Sequence, residues 1–410
     1  EETKDKVFEI LAHHKVDLSR MKQVVENGKW DYVIKCEKNG STILSQACIT
    51  DFLYGDDDCQ ILKDSLKDLA DFDALLQWNQ AQWQDLLENL FLANKPVVVL
   101  GRPSAEMYAR LEREQIERIQ QRKRDLGDAG RRTLQEKLES AQKHNNQPIP
   151  ESTLAEFVVE NPAQSVEFIT TKGITTIGHE SNDMQDELTR RVLESRPDDF
   201  PLFIHLDHFS SQFVELHVLA NSTTVKDTAL LPFYHIFCEL FSMPMETAEG
   251  KLVPYEDVVS QLKSETVDSQ ITLGLRGEFP DLIDFRIQCR AKNYPEAVKW
   301  VKHCLFDMVF DEKRVTVLLE KFLNSIVELK REGDLMMHSL INRHFFSERT
   351  AKKSTDELFV EELLGDVLDD IENGEYEEKV LPRLNTMREQ LRSNFRKFHI
   401  LVFGDVEKLG

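Results

Sequence analysis

The chain has 410 residues, of which 41% are hydrophobic and 30% charged, with a formal net charge of −22. That length accommodates two or more domains with substantial cores, and the composition is that of a soluble globular protein. The charge argues against a nucleic-acid partner, because a phosphate-binding surface needs a concentration of Lys and Arg; it suits basic peptide partners or a surface charged for solubility.

No apolar run approaches the length of a membrane span. Six cysteines (Cys36, Cys48, Cys59, Cys238, Cys289 and Cys304) include no C-x-x-C pair, and most sit in apolar runs. Reduced, buried thiols in an intracellular protein are expected, cytoplasmic or alternatively mitochondrial. The first residue is Glu and a repeat described below is cut at its left end, which predicts an interior fragment.

Residues 1–94 read as consecutive helices. Val16, Met21, Val24 and Val25 give one apolar stripe, residues 43–54 another, and Leu75, Leu76, Trp83, Leu86, Leu87 and Leu90 a third. Asp56, Asp57 and Asp58 follow a Gly and read as a solvated turn rather than a cation site. Pro96 and the valines of 97–99 predict a short strand over 96–100, closed by Gly101. Ser104 is then a helix cap, with Glu106 in the first turn. One Gly is too little for a phosphate-binding fingerprint.

Residues 106–143 carry opposite charges at helical spacing, with Gly127 and Gly130 near the middle. The pattern predicts a helical hairpin with a thin seam of Leu111, Ile119, Leu134 and Leu138. Its basic residues (Arg122, Lys123, Arg124, Arg131, Arg132) are interleaved with acids and read as a solvated face.

From about Ser165 the alternation changes. Strands are predicted over 166–171, 202–208, 213–220, 271–275 and 283–291, and helices over 227–241, 255–263, 295–308, 312–330, 334–346, 360–371 and 376–395. Residues 183–197 read as a short helix or surface insertion. The sum is an α+β fold, a mostly antiparallel sheet with helices on one face.

The chain also repeats itself. Residues 395–404 echo 91–101, each a strand ending in Gly after a helix. Asp17, Arg20, Val24, Val25 and Glu26 match Asp311, Arg314, Leu318, Leu319 and Glu320 at one offset, and a one-residue shift matches Gly40, Phe52 and Leu53 to Gly333, Phe345 and Phe346. Two copies of one domain type are expected: the C-terminal part of one and the whole of another.

Catalytic motifs are missing. A zinc hydrolase needs two His one turn apart, a third ligand and a carboxylate base; neither H-E-x-x-H nor H-x-x-E-H occurs, nor does G-x-S-x-G. His205 and His208 lie an odd number apart on a strand, on opposite faces. His13 and His14 are adjacent, and His338 and His344 are too far apart for one turn. All read as surface or satisfied core histidines. The predicted helix over 230–241 (Leu-Leu-Pro-Phe-Tyr-His-Ile-Phe-Cys-Glu-Leu-Phe) is apolar nearly all round and should be deeply buried.

With that helix, the doubled domain, the charged hairpin and the order of elements, the whole chain resembles the insulinase, pitrilysin and presequence-protease family of inverted-motif zinc peptidases. The wording of residues 49–55 and 200–221 is nearest to its poorly characterised eukaryotic members. In that family a helix beginning Leu-Pro carries H-x-x-E-H. Here the zinc histidines would fall at Phe233 and Phe237 and the catalytic Glu at Ile236, as in the family's noncatalytic repeats.

The resemblance implies that residues 1–101 are the C-terminal part of a second peptidase-like domain, 102–163 the linker and 164–410 a noncatalytic third domain. Zinc would belong to the longer protein and none to these residues, which would carry no catalytic, cofactor-binding or metal residue. The implied function is the noncatalytic wall and hinge of a chamber that encloses unfolded peptides, its partners being those peptides and the remaining domains of the same polypeptide. The alternative is a scaffold or assembly protein built from degenerate peptidase-like domains. An upstream H-x-x-E-H separates the two.

Overall fold

Alternation of apolar and polar residues on long strands sets the architecture. The computed structural model describes residues 2–94, 97–164, 166–177, 182–197 and 199–409. Its strands are β1 (Lys172–Thr175), β2 (Phe203–His208), β3 (Phe213–Asn221), β4 (Met245–Glu246), β5 (Leu252–Val253), β6 (Asp268–Leu275), β7 (Glu278–Arg290) and β8 (His399–Gly404). Six form one sheet in the order β1-β2-β8-β3-β7-β6, while β4 and β5 pair separately. Every neighbouring pair in the sheet is antiparallel except β2 and β8, which run parallel. The fold is α+β with a mostly antiparallel sheet.

The helices are α1 (Glu2–His13), α2 (Leu18–Tyr54), α3 (Gln60–Ser65), α4 (Asp68–Leu76), α5 (Gln80–Leu87), α6 (Ala105–Asn145), α7 (Glu151–Ala155), α8 (Glu187–Glu194), α9 (Tyr234–Phe237), α10 (Tyr255–Glu265), α11 (Tyr294–Phe306), α12 (Glu312–Leu329), α13 (Gly333–Phe345), α14 (Ala351–Ser354), α15 (Glu357–Glu372) and α16 (Leu381–Arg392). They divide between two units. One holds the segment ending at Lys15 and Gln84–Phe168; the other holds Val16–Trp83 and the chain from Ile169 onward.

In the larger unit, β3 and β7 pair from Phe213 opposite Arg290 to Asn221 opposite Leu282. On one face Val214, Leu216, Val218 and Ala220 join Ile283, Phe285, Ile287 and Cys289, none more than 7% exposed. Trp300 of α11, Leu319 of α12, Leu364 of α15 and Met387 of α16 close the same core. The other face is polar, and α2 lies against its β3–β7 end. Trp30 meets Phe213 edge-on at 5.9 Å, Arg290 stacks over Trp30 and pairs with Glu26 at 2.8 Å, and Lys38 Nζ donates to Gln288 Oε1 at 2.9 Å.

The matched positions Asp17 and Asp311 begin their helices with one device. Asp17 Oδ1 accepts from the Ser19 and Arg20 amides, and Asp311 Oδ1 from the Arg314 amide. Val25 and Leu319 are both buried. The helix from Asp17 breaks at Asn39 beside Gly40, and its counterpart ends before α13 opens at Gly333. α2 packs on α4 as α12 packs on α15.

The tails of the matched stretches differ. Residues 97–100 form no strand and are exposed, Val97 at 94% and Val99 at 90%; Pro96 lies outside the described residues. β8, by contrast, is held between β2 and β3. A β-favouring sequence becomes a strand only where it pairs, and residues 97–100 pair with no described strand. The closing glycines differ for the same reason: a Cβ on Gly404 would come within 2.6 Å of the Phe213 carbonyl, whereas one on Gly101 would meet nothing.

Other expectations are adjusted. The strand predicted over 166–171 begins only at Lys172, and Phe168 and Ile169 are exposed; Ser165 is outside the described residues. Residues 227–241 are not one helix. Pro232 supplies no amide hydrogen, and the segment runs as 3-10 turns around the short α9, though buried as expected. α8 occupies the 183–197 stretch, capped by Asp186. In the smaller unit, Ser104 caps α6 as predicted, and α6 is interrupted at Gly127 (φ +57°). Its seam residues Leu111, Ile119, Leu134 and Leu138 are 44–54% exposed. Only Cys289 and Cys304 are buried thiols; Cys36 and Cys48 are exposed on α2, and Cys59 is exposed in the turn that precedes α3.

The shared cap makes a measurable statement. Asp17→Ala and Asp311→Ala should each cost about 1 kcal/mol, read as faster amide exchange in the first turns of α2 and α12. Unchanged exchange at either site contradicts the capping role.

Candidate functional site on the polar face of the sheet

The polar face follows from strand parity. β7 reads Leu-Ile-Asp-Phe-Arg-Ile-Gln-Cys-Arg over 282–290, so Asp284, Arg286, Gln288 and Arg290 lie opposite the buried apolar set. Glu215 and His217 of β3 share that face, and register places Arg286 directly across from His217 and Gln288 across from Glu215.

These side chains form one network. His217, 2% exposed, has Nδ1 at 2.7 Å from Asp284 Oδ2 and Nε2 at 3.0 Å from Glu215 Oε1. Arg286 Nε donates to Glu215 Oε1 at 2.7 Å and its Nη1 to Asp268 Oδ2 at 3.0 Å. Gln288 Nε2 donates to Glu215 Oε2 at 3.3 Å, and Phe403 meets the imidazole edge-on at 5.5 Å. Asp284 Oδ1 is buried with no hydrogen-bond partner among the described residues.

Burial opposes charge on both central groups, and the hydrogen bonds overcome it. Desolvation pushes the His217 pKa down, but Asp284 and Glu215 raise it more, to a net value above the usual imidazole. Burial likewise disfavours the Glu215 carboxylate, yet His217 and Arg286 bring its pKa down to about 2. The result is an imidazolium clamped by two carboxylates, at the floor of a cleft of ≈660 Å³ lined also by Lys38, Gln270, Thr272 and Arg276. Such a cluster can hold charge and donate or accept hydrogen bonds at fixed positions.

None of the four network residues Glu215, His217, Asp284 and Arg286 stands out by motif. The available signal was the strict alternation over 282–290 with an ionisable or amide residue at every second position, a pattern that a merely solvated face does not require.

The histidines weighed by spacing lie apart. His205 Nε2 is 3.1 Å from Asp207 Oδ1, and His208 Nδ1 accepts from the Val406 amide at 3.2 Å. His13, His14, His338 and His344 are exposed. Phe233 and Ile236 are 1% exposed and Phe237 0%, all inside the apolar core. His235, beside them, donates from Nε2 to the Thr355 carbonyl at 2.8 Å and stacks with Phe322; burial drives its pKa down to about 4. Asp56–Asp58 occupy an exposed turn. Among the described residues no three His, Cys, Asp or Glu side chains converge as a metal site, and no helix is long and apolar enough to cross a membrane.

No protein-family model matches the sequence. The chain is 54% identical to an uncharacterised protein of Saccharomyces cerevisiae, over 99% of this chain and 40% of the yeast protein. It is 25% identical to an uncharacterised Schizosaccharomyces pombe protein, over 98% of this chain and 39% of that protein, and 23% identical to one from Caenorhabditis elegans with the same coverage. The chain thus spans about two fifths of the length of these relatives. Among solved structures it is similar to a Helicobacter pylori protease (10% identity, 52% of this chain, 46% of that one, TM-score 0.35). The Escherichia coli periplasmic protease PqqL gives 10% identity over 50% of this chain and 21% of that one, TM-score 0.30. Solved neighbours thus include proteases.

The network has a pH signature. His217, with its pKa raised from 6.5, contributes stability that is complete below pH ~6.5 and lost as pH rises through the folded-state value. Glu215, lowered from 4.5 to about 2, contributes above pH ~4.5 and loses it as pH falls through about 2. His217→Gln should therefore cost about 3 kcal/mol between pH ~4.5 and ~6.5, seen as faster amide exchange in β3 and β7, with the deficit shrinking at alkaline pH. A deficit independent of pH contradicts the clamped imidazolium.

Proposed function

We propose that residues 1–410 are a noncatalytic, wall-forming part of a longer zinc metallopeptidase that degrades unfolded peptides. The observation that carries this reading is the filling of the positions where the resemblance would put zinc ligands and base. Phe233, Ile236 and Phe237 are at most 1% exposed, and replacing buried hydrocarbon of this kind with ligating polar groups would cost several kcal/mol per site. The segment is retained as core, and chemistry is left to other parts of the polypeptide.

The rest of the molecule supports a wall. The sheet buries one face under its own helices and leaves the other polar and partly open, a surface able to contact peptide without holding it tightly. Repeated helical starts at Asp17 and Asp311, each followed by a break just before the matched Gly, support a duplicated domain, with residues 1–101 as the end of one copy and 164–410 as the next. On this reading residues 102–163 connect the two.

In the full-length protein, hydrolysis of an unstructured peptide should be abolished by a zinc chelator. His205→Ala and His208→Ala should each leave the rate within about twofold, since neither residue faces a shared site. Residues 1–410 by themselves should hold no stoichiometric zinc. Loss of hydrolysis in either variant, or one tightly held zinc per 410-residue chain, overturns the proposal.

A further inference from the structure

The hairpin between β6 and β7 is built against ordinary preference. Leu275 pairs with Glu278, leaving Arg276 and Gly277 as a two-residue turn with φ of +52° and +83°, the positive values that a type I′ turn requires. Asn or Gly usually takes the first of these positions, and Arg there is strained. Gly274, at the bulge before the turn, has φ +75° and no room for a side chain, since a Cβ would come within 2.3 Å of the Glu278 carbonyl oxygen. An exposed turn gains nothing in stability from this choice, so the strain needs a reason in what Arg276 reaches.

Arg276 lines the cleft over the His217 network and also the adjoining cleft of ≈600 Å³ beside α2. Among the described residues its guanidinium makes no ion pair or hydrogen bond, whereas Arg286 is committed to Glu215 and Asp268, and Lys38 to Gln288. The carboxylates of Glu215 and Asp284 are already engaged by Arg286 and His217. On a chain of net charge −22, Arg276 is, among the described residues, the charged side chain of this cleft with neither an ion pair nor a hydrogen bond, and it is a cation. The floor supplies the opposite need: Asp284, 2% exposed, has Oδ1 without a donor.

We propose that this cleft binds an extended acidic peptide, Arg276 at its mouth taking a carboxylate and Asp284 at its floor accepting from a peptide N–H. A guanidinium matches a carboxylate in two parallel hydrogen bonds. A phosphate dianion fits less well, because Glu215 and Asp284 lie beneath it and it brings no donor for Asp284 Oδ1. The volume suits a few residues of extended chain. This inference rests on the peptide-chamber reading and names the class of peptide that this part of the wall receives.

The test measures binding of fluorescein-labelled octapeptides to the full-length protein by anisotropy, with chelator present to stop turnover. One peptide carries glutamates, a second has them replaced by glutamine, and each is made with a free and an amidated C-terminus. The acidic peptide should bind at least tenfold more tightly than its amidated glutamine counterpart. Arg276→Asn, which suits the turn, should remove about tenfold from the acidic peptide and leave the neutral one unchanged, while Arg276→Lys should restore part of the loss. Sensitivity to amidation assigns the carboxylate to the C-terminus, and sensitivity to glutamine assigns it to a side chain. Equal binding of acidic and neutral peptides, an Arg276→Asn variant that binds the acidic peptide normally, or displacement by inorganic phosphate at the same concentration overturns this inference and leaves the chamber reading standing. Binding of neither peptide overturns both.

Discussion

The constraint on which the larger unit depends is the two-sidedness of β7 and its partner β3. Ile283, Phe285, Ile287 and Cys289, all at most 1% exposed, fix which face of the sheet receives α11, α12, α15 and α16. Each large apolar side chain buried there contributes about 2 kcal/mol, and a one-residue slip in register would turn all of them to the wrong side. The polar set opposite is different in kind. A buried ion network roughly breaks even against hydrocarbon of the same volume, because desolvation consumes most of the Coulombic gain. The apolar face therefore supplies the stability, and the His217–Asp284–Glu215–Arg286 network supplies fixed geometry.

That geometry explains how α2 is held. α2 approaches the polar face, not the apolar one, and does so through pairs that only this face offers: Glu26 with Arg290, Lys38 with Gln288, and Glu37 with the Ser211 hydroxyl. Trp30, wedged between Phe213 and the Arg290 guanidinium, adds an apolar anchor. α12, whose start matches that of α2, packs into the apolar core. One kind of helix thus serves opposite faces of the sheet, because the outward residues of α2 match a charged surface and those of Leu318 and Leu319 match an oily one.

The functional reading follows from the same division of labour. Hydrocarbon at Phe233, Ile236 and Phe237 makes that segment a structural member. The capacity for polar contact lies on the sheet's other face, where His217, Asp284, Glu215 and Arg286 hold one another and the Arg276 guanidinium is left over.

Much of the fold was legible in the sequence. Strand alternation over 202–208, 213–220 and 283–291, the helices from 255 onward, the cap at Ser104, and the burial of 230–241 all depend on local pattern, and local pattern is what a sequence carries. What tertiary structure alone decided is which β-favouring stretches find a partner: residues 97–100 and 166–170 have the composition of strands and pair with no described strand, while 399–404 pairs with two. It also decided that His217, unremarkable by spacing, meets Asp284 from a strand 67 residues away. Alternation tells which face a residue is on, but only strand order and register bring two polar residues of that face together, and both are set by long-range pairing that no short window of sequence contains.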